Sequence, residues 1–129
     1  MHVYLVRHAK AEPGDPDELR PLAKKGRKQA RDLGERFARS GADAVLSSPL
    51  LRARETAEAI AKATGTTVVT DERLAPGATA ADLRAAVEGR GERVVVIGHQ
   101  PDFGRIAAAI SGGPEPEFPT AGVFELDLK

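Results

Sequence analysis

Two histidines in this chain stand where an apolar run stops. In "VYLVRHAKAE", residues 3–12, the run Val3–Val6 ends on Arg7-His8, and in "RVVVIGHQP", residues 93–101, the run Val94–Ile97 ends on Gly98-His99. A third apolar stretch, "ADAVLSS" at 42–48, ends on Ser47-Ser48, with Arg52 shortly after. Guanidinium groups and helix N-termini bind phosphate because each offers several N–H donors in fixed geometry to an oxygen-rich anion. A neutral imidazole can attack phosphorus through a ring nitrogen, and a second, protonated one can donate to an oxygen gaining negative charge. Arginines near His8 oppose its protonation and keep it nucleophilic at neutral pH. The set reads as phosphoryl transfer. Neither a Walker-type Gly-rich Lys loop nor a magnesium-binding carboxylate cluster accompanies it, so a covalent route without metal or cofactor is the natural reading.

The elements that must position these groups follow from patterning. Val3–Val6, 42–48, 64–72 and Val94–Ile97 read as short buried strands, and "GVFELDL" at 122–128 alternates like a strand with one drier face. Between them, 22–40 carries Leu22, Ala30, Leu33 and Phe37 at helical intervals, although Gly26 and Gly34 each weaken a helix by up to about 1 kcal/mol. Ser48-Pro49 predicts a helix N-cap and first residue for a helix from 49 to about 64. Thr79 predicts a cap for a helix stopping at Gly89, and Pro101 opens one reaching about Ile110. "AEPGDPDELRP" at 11–21 and "GGPEPEFP" at 112–119 read as exposed loops. Alternating strands and helices predict an α/β fold: a three-layer α/β/α sandwich with a mostly parallel central sheet. The carboxyl ends of parallel strands share one edge, where ligands bind. That edge would gather both histidines, both arginines and Ser48.

Length and composition narrow the class. The 129 residues, 41% hydrophobic, suffice for one domain spanning 1–129. Lys+Arg and Asp+Glu both number 19, and aromatics make up 4%, so nucleic acid is not expected as a partner. The absence of Cys removes disulfides and thiolate chemistry. No leader pattern or membrane-length apolar stretch is present, which predicts a cytoplasmic protein without a membrane partner.

The three motifs also resemble a known family. "VRHAKAE" is similar to the Arg-His-Gly/Ala signature of the histidine phosphatase (phosphoglycerate mutase-like) superfamily, "SSPLLRARETA" to its second-arginine motif and "VIGHQP" to its second-histidine motif, in the family's order and spacing. The small size, "RPLAKKG" at 20–26 and "ERLAPG" at 72–77 resemble the short SixA-type phosphohistidine phosphatases. The resemblance implies that His8 becomes a transient phosphohistidine while Arg7, Arg52 and His99 clamp the phosphoryl oxygens. Ser48 could add a contact to phosphate, and Arg20 could hold the substrate's macromolecular surround.

Where larger members place an acid for the leaving oxygen, this chain reads Ala75-Pro76 and Gln100. Glu72 and Asp102 lie close in sequence but match neither place. An enzyme without that acid suits a leaving group that departs readily, such as the ring of a protonated phosphohistidine on a partner protein, for example a phosphotransfer domain. The short chain also lacks the large insertions that enclose small metabolites in relatives. The alternatives are a phosphomonoesterase for small esters and a non-catalytic phosphate-binding module; retention of His8 argues against the latter. Plainer readings stand beside these: His2 as a structural residue, Ser48 as a cap, Arg20 as a surface residue and "KKGRK" at 24–28 as a solvated helix face.

Overall fold

The computed structural model describes all 129 residues. Five strands form one sheet: β1 (His2–Arg7), β2 (Ala44–Ser47), β3 (Val68–Thr70), β4 (Arg93–Gly98) and β5 (Val123–Asp127). Four helices intervene: α1 (Lys24–Ser40), α2 (Leu51–Thr64), α3 (Ala80–Val87) and α4 (Asp102–Ser111). The strand order is β3-β2-β4-β1-β5, all parallel except β5, which pairs antiparallel with β1. β4 thus lies between β1 and β2, and the three strands whose ends carry the polar motifs are adjacent.

Side-chain alternation divides the core between two faces. Tyr4, Val6, Val45, Val95 and Ile97 pack against Leu33 and Phe37 of α1 and Ala53, Ala57 and Ile60 of α2. Val3, Leu5, Leu46, Val94 and Val96 point the other way, toward Leu83 and Val87 of α3 and Phe103 and Ile106 of α4. This is the expected three-layer sandwich.

The two glycines of α1 are close-approach points. A Cβ at Gly34 would lie 2.9 Å from the Ala59 carbonyl oxygen, and one at Gly26 would collide with the Lys10 carbonyl. Propensity is set aside there so that α1 can touch α2 and the segment leaving β1.

Two helix starts differ from expectation. α1 begins at Lys24 because Leu22 N–H is taken by Glu55 Oε1 at 2.8 Å while Leu22 bridges Ala11. α2 begins at Leu51 because Ser48 Oγ accepts the Leu50 N–H at 3.2 Å, closing a turn over Pro49; the N-cap position falls to Leu50, without a side-chain cap. Thr79 caps α3 as read, in a reciprocal capping box with Asp82.

Candidate active site

Sheet register brings the motifs together. Arg7 pairs with Gly98 and Ser47 with Ile97, so the chains leaving β1, β2 and β4 emerge level with one another. Backbone bonds extend the pairing past the strands: His8 N–H donates to Gly98 O at 3.1 Å and Ser48 N–H to Ile97 O at 3.0 Å. Gly98 is required there, since a Cβ would run into the Phe103 ring. The His8 and His99 rings end with centroids 5.3 Å apart.

The two rings are tied down by opposite nitrogens. His8 Nδ1 lies 2.8 Å from its neighbour's carbonyl, Ala9 O, an acceptor only, so Nδ1 carries the proton and Nε2 presents its lone pair. His99 Nε2 lies 2.7 Å from Ser48 Oγ, while its buried Nδ1 has no partner. Ser48 Oγ also accepts from Leu50 N–H; where its own proton goes to His99 Nε2, the hydrogen of His99 lies on Nδ1, the tautomer taken for this site.

Both rings are neutral at physiological pH. Burial first, then the nearby Arg52, Arg7 and Arg20 charges, lowers His8 from 6.5 to about 4 against the opposing bond to Ala9 O. Burial, His8 and Arg52 lower His99 to about 3. The expectation of a protonated second histidine is therefore not met in the free site: a cation there would be desolvated among other cations. His99 offers a neutral N–H donor.

The arginines differ in their anchors. Arg7 Nη1 donates to Phe118 O at 2.8 Å, and its buried Nε is unpartnered. Arg52, 7% exposed, directs Nε toward His8 Nε2 at 3.4 Å, while Nη1 donates to Asp17 O at 2.9 Å and Nη2 to Asp17 Oδ2 at 3.2 Å. Arg20 joins the cluster from the rim. Its Nη1 reaches Asp17 Oδ1 at 2.9 Å and its Nε reaches Glu12 O at 2.7 Å. These two arginines hold the exposed Asp17 carboxyl below its usual range, Arg20 most strongly.

Asp17 was not readable in advance: it is one of four acids in the 11–21 loop. The only available signal was the i,i+3 spacing to Arg20. Thr56 was also missed. Its Oγ1 accepts from Ala9 N–H at 3.0 Å and donates to Arg52 O at 2.8 Å, coupling the His8 segment to α2. Of the acids near the missing general-acid places, Asp102 is committed to Gly77 N–H at 2.8 Å and Glu72 is exposed. Gln100 Oε1 accepts from Gly104 N–H at 2.7 Å. No three His, Asp or Glu side chains gather in a metal-binding group, and no helix is long and apolar enough to cross a membrane.

The carboxyl edge of the parallel sheet thus gathers two neutral histidines and two arginines, a set suited to an oxygen-rich anion such as phosphate. The sequence matches the histidine phosphatase superfamily (branch 1) over residues 3–76, and the chain belongs to that superfamily. Within it the chain is of the SixA type and is a phosphatase-class hydrolase. It superposes on the protein histidine phosphatase SixA in its tungstate complex with a TM-score of 0.88 at 27% identity, covering 99% of this chain and 88% of that one. For SixA from Agrobacterium tumefaciens the TM-score is 0.83 at 29% identity, covering 98% and 90%. An uncharacterised protein of Picosynechococcus sp. is 37% identical in an alignment 127 positions long that covers 88% of this chain and 74% of that protein. The probable phosphoglycerate mutase GpmB of Salmonella paratyphi C is 40% identical over 81 residues, 57% of this chain but only 37% of GpmB.

Proposed function

We propose that this protein removes phosphate from phosphohistidine on a partner protein, by way of a phosphohistidine formed on its own His8. The observation that carries the reading is the ring orientation of His8: Nδ1–H is bound to Ala9 O, and Nε2 is unprotonated at neutral pH. His8 Nε2 attacks phosphorus as the P–N bond of the substrate breaks, with that bond's electron pair returning to the leaving imidazole. A ring already protonated on its other nitrogen departs neutral and needs no acid from the enzyme. Water then attacks the phosphorus on His8, releasing inorganic phosphate and restoring Nε2.

Arg7, Arg52 and His99 bind the three phosphoryl oxygens through both steps. Arg7 Nε and His99 Nδ1 are buried donors without a protein partner, suited to an arriving anion. Arg52 is held from one end by Asp17, so its Nε edge stays turned toward His8. Catalysis on this reading is positioning plus electrostatic stabilisation, without metal or cofactor. Ser48 acts through His99 by fixing its tautomer, and Arg20 acts from the rim through Asp17.

The likeness to GpmB, named a probable phosphoglycerate mutase, supports small phosphate esters as the substrates of a second reading, in which this chain hydrolyses them. One experiment separates the readings. Wild type and His8→Ala are incubated with a protein carrying labelled phosphohistidine and with a panel of sugar and nucleotide esters, with and without a chelator. Release from the phosphoprotein with acid-labile label on wild type alone, unchanged by chelator, is the expected result. Release from phosphoprotein no faster than the variant's background rejects the proposal, and efficient ester hydrolysis selects the second reading.

A further inference from the structure

Resting on the protein-borne substrate just proposed, we infer that the N-terminal end of α1, with Lys10, is a docking surface for acidic residues flanking the substrate histidine. Lys10 lies two residues beyond His8, hence within about 7 Å along the chain, and its side chain is exposed. The start of α1 is fastened to the same segment. Ala23 N–H donates to Lys10 O at 2.9 Å, Lys10 N–H donates to Gln29 Oε1 at 2.9 Å, and Gly26 packs its Cα on the Lys10 carbonyl. Lys24 and Lys25, both exposed, therefore follow directly on the point where α1 is fastened to the segment leaving His8.

These cations are uncompensated. Among the ion pairs of the molecule, Lys28 is bonded to Asp32, but Lys10, Lys24 and Lys25 have no acidic partner. Their position also opposes the helix dipole. The first turn of α1 has neither an acidic residue nor a side-chain cap, so two lysines stand where a helix favours anions. A rule broken in local structure points to a purpose outside it. On the other flank Arg27 and Arg31 share a groove with Glu55 and Glu58, whereas no acid lies in the first turn of α1.

The reach of a protein substrate makes contact with this patch unavoidable. A standard interface covers about 800 Å² on each partner, a disc of roughly 16 Å radius. Centred on His8, it overlies Lys10 and the first turn of α1. The acids of the 11–21 loop, Glu12, Asp15, Asp17 and Glu18, are exposed, but Asp17 is bonded to Arg20 and Arg52, and a matching partner places its acids on the α1 side of its phosphohistidine.

The test uses two phosphohistidine peptides that differ only in their flanks, one bearing four Glu and the other four Lys. At low salt, wild type should show about tenfold higher kcat/KM on the Glu peptide, a steering effect that shrinks at high salt. Lys24→Glu/Lys25→Glu should abolish or invert that preference while hydrolysing free phosphoramidate within about twofold of wild type, as expected when charges away from the reacting atoms change. The same change should raise the melting temperature, since it reverses the dipole conflict. Arg39→Glu, at the far end of α1, should leave the preference intact. A wild type that does not discriminate, a Lys24/Lys25 variant that keeps the preference, or equal loss with Arg39→Glu would overturn the inference. If wild type hydrolyses the phosphoramidate and both peptides equally, only the docking surface is lost; if it hydrolyses none of them, the proposed function is lost with it.

Discussion

His8 and His99 occupy equivalent places at the ends of neighbouring parallel strands, yet the two are anchored through opposite nitrogens. His8 is fixed through Nδ1 to a backbone carbonyl, which can only accept, so its Nε2 is a lone pair, facing Arg52 Nε at 3.4 Å. His99 is fixed through Nε2 to a hydroxyl, which can donate, so its free Nδ1 is an N–H. On the proposed mechanism the same side chain thus serves as nucleophile on one strand and as hydrogen-bond donor on the next. The choice lies in the tethering atom rather than in burial or charge, which depress both rings alike.

Removing each ring in turn tests that contrast most severely. His99→Asn should lower the rate about 10²–10³-fold, as for the loss of one pre-positioned donor, while labelled phosphate still accumulates on His8. Loss of the label with His99→Asn would make the two histidines equivalent and break the contrast. Titration comes next. Acylation of His8 by diethyl pyrocarbonate, mapped by mass spectrometry, should stay at its plateau well below the 6.5 of free histidine and fall only near pH 4. The sign for stability follows. Because the unfolded ring binds a proton at a higher pH than the folded one, His8 makes the protein less stable as pH falls from 6.5 to about 4. The mildest test is the tether itself. Ser48→Ala frees His99 to adopt either tautomer and should cost about tenfold in rate, the scale of one hydrogen bond of about 1.4 kcal/mol. An unchanged rate would remove Ser48 from the explanation.

The chemistry-bearing residues were legible because strand ends and a motif in order constrain them twice. Apolar runs at Val3–Val6 and Val94–Ile97 locate His8 and His99 on one edge whatever the loops do. The bonds that decide what those residues do were not legible. Ser48 was read as a helix cap from Ser-Pro, but its oxygen serves a turn and a histidine instead, moving the start of α2 to Leu51. Asp17 was one acid among several in a proline-rich loop, and only the folded path of that loop selects it. The charge state of His99 depended first on its burial and then on the charges around it, both set by segments far apart in sequence. Gly26 and Gly34 looked like weaknesses of α1 because propensity is local, whereas the backbone they admit belongs to other segments.

The insertion of β4 between β1 and β2 also sets a timetable. As the chain leaves the ribosome, Arg7, His8, Ser48 and Arg52 emerge early, but β1 and β2 are not neighbours in the sheet and share no backbone pairing. The edge that brings these residues level is templated only when residues 93–98 slot into the gap, and His99 arrives with that strand. A nascent or truncated chain ending before β4 therefore holds most of the site's side chains without a site. On this topology one late strand completes the site.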